Sequence, residues 1–134
     1  MLVQAYRDPS PANMRRLVET MVYGKARFAT PELCQARSDA ALARPEHLRD
    51  YLEGPPKGAP LPKWVRTDLL PSIQAPTLLI HGRDDRVVSY ETSLYLPANI
   101  PDSRLVPLNR CSHWAMIEHA DEFNRPVTDF VANN

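Results

Sequence analysis

Two short stretches of this chain hold most of the side chains able to move protons. Asp84 and Asp85 follow the run Pro76-Thr77-Leu78-Leu79-Ile80-His81-Gly82, and His113 and Trp114 follow Arg104-Leu105-Val106-Pro107-Leu108. A carboxylate beside an imidazole is the acid–base pair of hydrolytic acyl transfer. The carboxylate holds the ring in one tautomer and stabilises its protonated form, while the ring takes a proton from a nucleophile. Such a pair works only if two segments distant in sequence meet at one place.

The elements around these residues are suited to bring them together. Pro76–Gly82 is a short continuous apolar run, the pattern of a strand buried on both faces. Arg104–Leu108 reads as a second strand, whose Pro107 lacks an N–H and points to an edge position or a strand end. A short helix is expected over Glu91–Leu96 between them, and another over Trp64–Leu70 before them. A final amphipathic helix is expected over Asp121–Val131, with Phe123, Val127, Phe130 and Val131 on one face. Strand–helix–strand–helix means parallel strands with crossover helices, and ligand chemistry in such sheets sits in the loops after the carboxyl ends of the strands. Those loops are Gly82–Val88 and Asn109–Met116, so Asp85 and His113 are expected at the same sheet edge.

The first part of the chain reads as helices. Ser10-Pro11 is a start signal, and Met14, Leu17, Val18, Met21 and Val22 then recur as one apolar stripe until Gly24. Thr30-Pro31-Glu32 repeats the start signal, and Leu33, Ala36, Ala40 and Ala41 give a small-residue stripe to Arg44. Pro45 opens a third helix through Leu48 and Leu52 to Gly54. Residues 54–62, Gly-Pro-Pro-Lys-Gly-Ala-Pro-Leu-Pro, cannot continue a helix or a central strand. The expected organisation is a helical region over 1–53, a Pro/Gly linker over 54–62 and an α/β segment over 63–134.

Composition excludes several function classes. The 134 residues carry 16 Lys+Arg and 16 Asp+Glu, so no basic field exists to hold a phosphate backbone. The hydrophobic share of 43% and charged share of 24% are those of a globular chain, and no apolar run is long enough to span a bilayer. The first residues show no basic region followed by a long apolar core, the mark of a signal peptide. Four Gly form neither G-x-G-x-x-G nor a P-loop, against nucleotide binding of those kinds. Cys34 and Cys111 make neither a disulfide framework nor a zinc pattern and read as small buried hydrophobes of a reducing cytoplasm. His81, at a strand end, and His119, at a helix start, read as structural, and no cluster of His, Asp and Glu suggests a metal.

The quoted motifs resemble a known family. His81-Gly82-Arg83-Asp84-Asp85-Arg86-Val87-Val88 resembles the segment of α/β-hydrolases that carries the acid of their triad. Cys111-Ser112-His113-Trp114 and the run Glu118-His119-Ala120-Asp121-Glu122-Phe123-Asn124-Arg125 resemble the triad-histidine segment, in the form found in the meta-cleavage product hydrolases. That branch cleaves C–C bonds of 2-hydroxy-6-oxo-dienoates made by fission of aromatic rings. Leu33-Cys34-Gln35-Ala36-Arg37 and Arg44-Pro45-Glu46-His47-Leu48 resemble its helical lid. The resemblance implies that Asp85 is the triad acid and His113 the base. It implies that Trp114 lines the substrate pocket and Arg37 meets the dienoate carboxylate, with no cofactor. By residue type alone, Trp114 could equally be core, and Arg37 could pair with Glu32 or Asp39.

The sequence departs from the family at three points. Ser112 stands where Gly usually precedes the histidine, and Ser89 where a Pro often follows Val-Val. No serine lies in a G-x-S-x-G elbow, and Ser112, adjacent to His113, cannot take over that role. The expected architecture is therefore the C-terminal part of an α/β-hydrolase fold: the helical lid, then the last two parallel strands and their helices. A two-strand remnant leaves a sheet edge open, so the chain is expected to self-associate or to bind a chain carrying the other half. Within enzymes the alternative is an esterase with the same triad. Outside them, it is a non-catalytic fragment that folds by association.

Overall fold

The computed structural model describes residues 2–54 and 66–134, which fall into two compact units. One comprises residues 2–19 and 25–54, the other residues 20–24 and 66–134. Most of the 54–62 linker and the start of the Trp64–Leu70 helix lie outside the described residues.

The first unit is helical: α1 (Leu2–Arg7), most of α2 (Pro11–Met21), α3 (Lys25–Phe28), α4 (Pro31–Leu42) and α5 (Pro45–Glu53). Three of these begin at a proline, whose missing N–H costs nothing in the first turn. The Thr30 side chain caps α4 by accepting from the Leu33 N–H at 3.2 Å. Gly54, at φ 68°, ends α5 in the left-handed region that glycine enters without strain. The α2 stripe of Met14, Leu17 and Val18 is buried, as are Ala5, Ala29 and Cys34. The α1 helix packs on α5, where the Tyr6 and Tyr51 rings meet edge to face at 4.7 Å. The short α1 and α3 carry no periodic stripe, so the sequence pattern does not mark them.

The second unit holds the sheet. A 3-10 helix over Thr67–Ser72 overlaps the end of the short helix expected over Trp64–Leu70, and Pro71 within it lacks a backbone donor. β1 (Thr77–Gly82) and β2 (Ser103–Leu108) pair in parallel, from Thr77 opposite Ser103 to Gly82 opposite Leu108, with α6 (Tyr90–Tyr95) between them in the chain. Pro107 lies in β2, which has β1 as its sole neighbour among the described residues. Then come α7 (Ala115–Glu118) and α8 (Ala120–Asn133), both packed on β1. Leu108, Cys111 and Ala115 form the buried centre, with Ile80, Val106 and Phe123 against it.

Two expectations fail here. β1 is half-buried up to His81 instead of covered on both faces, because among the described residues the sheet has two strands. Val131 is 72% exposed, so the packed face of α8 is Phe123, Val127 and Phe130 without it. Val131 follows Phe130 directly, and a helix turns by about 100° per residue, which carries it off that face.

Candidate active site

The carboxyl ends of the two strands are held by backbone contacts. Arg83 N–H donates to Leu108 O and Asp84 N–H to Cys111 O, both at 2.9 Å. Gly82 is where the backbones come closest. A Cβ there would lie 2.1 Å from Ser112 O and 2.6 Å from Cys111 O, so only glycine allows the approach. The turn between β2 and this contact passes through Arg110 at φ 52°, a left-handed position outside glycine. His119 supports it. Its Nε2–H donates to Arg110 O at 3.1 Å and its Nδ1–H to Glu122 Oε1 at 3.2 Å. Burial opposes the charge on this ring, but the two acceptors outweigh burial and hold its pKa above the ordinary histidine value.

On this frame the structure brings Asp85 and His113 together. His113 Nδ1–H donates to Asp85 Oδ2 at 2.9 Å. The Asp85 side chain is 4% exposed, and its other oxygen accepts from the N–H groups of Val87 at 2.7 Å and Val88 at 3.0 Å. Burial pushes the Asp85 pKa upward. The His113 bond and the Val88 and Val87 amides outweigh it, and the carboxyl sits below the usual aspartate value. An ionised Asp85 accepts from Nδ1–H and so leaves the lone pair of neutral His113 on Nε2. The His113 ring is 35% exposed, and its Nε2 has no hydrogen bond among the described residues. An imidazole whose Nδ1–H is held in this way and whose Nε2 is open has the geometry that general-base chemistry requires.

The loop bearing His113 is anchored by a residue that the sequence reading did not single out for a role in the site. Glu118, 8% exposed, accepts from Ser112 N–H at 2.7 Å through Oε2. Its Oε1 accepts from Tyr23 N–H at 2.7 Å and Gly24 N–H at 2.9 Å. Ser112 Oγ donates to Thr20 O at 3.2 Å, and Trp114 N–H donates to Met21 O at 3.1 Å. These bonds are why the segment Thr20–Gly24 belongs to the second unit. The signal in the sequence is faint: one acid on a short helix beside Met116 and Ile117.

The other sequence candidates are placed as follows. Trp114 is half-buried next to His113, at the start of α7. Asp84 is half-buried too, and its N–H is taken by Cys111 O. Arg37 lies on α4 in the helical unit, where it lines a cavity of about 570 Å³ with Tyr6, Met14, Arg44, His47 and Tyr51. Cys111 is buried, and burial, helped by Glu118, Asp84, Asp85 and Glu122, pushes its thiol up to about 12. Among the described residues no group of three His, Cys, Asp or Glu could hold a metal, and no helix is long and apolar enough to cross a membrane.

The sequence matches the family described as alpha/beta hydrolase fold over residues 11–120. The chain belongs to the α/β-hydrolase family. It is 45% identical over 131 residues to the 2-hydroxy-6-oxononadienedioate/2-hydroxy-6-oxononatrienedioate hydrolase of Cupriavidus pinatubonensis, covering 96% of this chain and 44% of that protein. It is 40% identical over 133 residues to the 2-hydroxy-6-oxo-6-phenylhexa-2,4-dienoate hydrolase of Delftia acidovorans, covering 99% and 46%. Among solved structures, the meta-cleavage product hydrolase of Pseudomonas fluorescens IP01 superposes with a TM-score of 0.79 at 32% identity, over 92% of this chain and 46% of that one. The chain spans about half the length of these relatives, and corresponds to the C-terminal part of the α/β-hydrolase fold.

Proposed function

We propose that this chain supplies the acid–base half of a C–C bond hydrolase acting on 2-hydroxy-6-oxo-dienoates from aromatic ring fission. The observation that carries the reading is the 2.9 Å bond from His113 to a buried Asp85 whose second oxygen is already held by two backbone amides. The relatives named for dienoate hydrolysis support the substrate class. In this reading Asp85 orients His113, and Nε2 of His113 takes and returns protons. Arg37 meets the dienoate carboxylate, and Trp114 lines the pocket at the ring or alkyl end. Water is added across the C–C bond: its oxygen joins the acyl carbon to form a carboxylic acid, and a hydrogen goes to the departing carbon. No serine of this chain lies in a G-x-S-x-G context. We assign the nucleophile to a polypeptide carrying that elbow, and the chain by itself turns over little or no substrate. Large exposed hydrophobics on the second unit, among them Leu94, Tyr95, Met116 and Ile117, support association with such a partner.

The test follows loss of the visible absorbance of synthetic 2-hydroxy-6-oxo-6-phenylhexa-2,4-dienoate. It compares the chain alone, the chain co-expressed with the N-terminal remainder of the Cupriavidus relative, and the same mixture with H113A. Turnover only in the mixture, reduced by about a thousandfold or more in H113A, is the expected result. His113-dependent turnover by the chain alone overturns the two-part reading. Hydrolysis of simple esters without any dienoate cleavage moves the assignment to an esterase.

A further inference from the structure

We propose that His81, which the acid–base pair does not include, is a positioning residue that holds the Asp85 carboxylate in place for His113. The positioning role rests on the catalytic reading above, whereas the contacts that hold the Asp85 loop are independent of it. The side chain of His81 is 10% exposed at the end of β1. Its Nε2 is 3.2 Å from Val88 O and 3.5 Å from Asp85 Oδ2, and its Nδ1 is 2.6 Å from the hydroxyl of buried Ser93 on α6.

The partners settle the protons. A backbone carbonyl only accepts, so Nε2 carries the hydrogen and donates it to Val88 O. In the neutral ring Nδ1 is then an acceptor, and Ser93 donates to it. The bonds run in series. Ser93 O–H holds His81, and His81 Nε2–H holds the Val88 carbonyl. The Val88 amide, with that of Val87, holds Asp85 Oδ1, while Asp85 Oδ2 receives His113. The Tyr90 ring, 5.8 Å away and tilted by 58°, is the aromatic neighbour of His81. Val87 and Val88 are otherwise exposed, so little packing fixes this loop. Without the clamp, the amides that lower the Asp85 pKa could swing away, and the His113 tautomer would lose its anchor.

The prediction is tested by proton NMR and amide exchange on the 134-residue chain, without substrate, so that its outcome is independent of whether the chain hydrolyses anything. H81F fills the same space without a donor, and H81Q restores a donor. In H81F, exchange at Val87 and Val88 should accelerate about tenfold or more. The low-field signal of His113 Nδ1–H should broaden or vanish, while the strand amides of Leu79 and Leu105 stay protected. H81Q should recover both readouts in part. Unchanged loop exchange and an unchanged His113 signal in H81F overturn the proposal. So does uniform acceleration of all amides, which would make His81 a packing residue. If H81F fails to fold, S93A carries the test: it removes only the donor to Nδ1. It should loosen Val87 and Val88 selectively, and unaltered exchange there overturns the clamp.

Discussion

The carboxylate of Glu118 and the amide of Ser112 are 2.7 Å apart, and the same carboxylate takes the amides of Tyr23 and Gly24. One buried side chain thereby ties a turn near the start of the sequence to the residue preceding His113. Three donors converge on it and no basic side chain is within salt-bridge distance among the described residues. Removing the carboxylate would leave all three amides to find other acceptors. Glu118→Ala should cost about 2 to 4 kcal/mol, read from the midpoint of urea unfolding. Amide exchange at Ser112 should rise with it. A variant as stable as the wild type would mean that water replaces the carboxylate at no cost.

Gly82 should tolerate nothing larger. The Cβ of an alanine would meet the carbonyl oxygens of Ser112 and Cys111, which are backbone atoms and cannot rotate aside. Gly82→Ala should lower stability by about 3 kcal/mol or more, because the strand end and the His113 loop must separate to admit the methyl. Thermal unfolding followed by circular dichroism gives the comparison. The conformational freedom of glycine is not the issue here, since no positive φ is involved.

Stability should respond to pH in two windows of opposite sign. The folded-state pKa of Asp85 lies below its unfolded value, so its contribution is present above about pH 4 and is lost as pH falls through the folded value. The folded-state pKa of His119 lies above its unfolded value. Its contribution is full below about pH 6.5 and is lost as pH rises through the folded value. Urea midpoints measured from pH 3 to 9 should show the acid limb flattened in D85N and the alkaline limb flattened in H119Q. Limbs that persist unchanged in these variants would trace the dependence to other groups.

Neither cysteine should react in the folded chain. Cys34 and Cys111 are both buried, burial raises both thiols, and that of Cys111 reaches about 12. At pH 8 almost no Cys111 thiolate exists to attack a disulfide reagent. Labelling with Ellman's reagent should give no fast phase in buffer and two thiols in guanidinium. A fast equivalent in buffer would show that the unit holding that thiol, the first for Cys34 or the second for Cys111, opens far more often than its core suggests.

Much of the architecture was legible in local pattern. The prolines at 11, 31 and 45, the Thr30 cap and the spacing of Met14, Leu17 and Val18 announced three helices, because caps and apolar stripes act within a few residues. The apolar runs before Asp84 and before His113 announced two parallel strands, and with them an acid and an imidazole at one sheet edge. The α1 and α3 helices, six and four residues long, carry neither an apolar stripe nor a proline start signal, so nothing local marks them.

What the amino-acid order alone determined, then, was the set of elements and the chemistry available at the strand ends. Tertiary structure decided how that chemistry is held. Glu118 meets Tyr23 across 95 positions, His81 finds its hydroxyl on the next helix, and Gly82 is required by a loop lying thirty residues further on. No local period encodes such contacts, because they exist only once the chain has closed on itself. The strand burial that failed has the same cause: an apolar run states that a strand should be covered, but only the number of neighbouring strands decides whether it is.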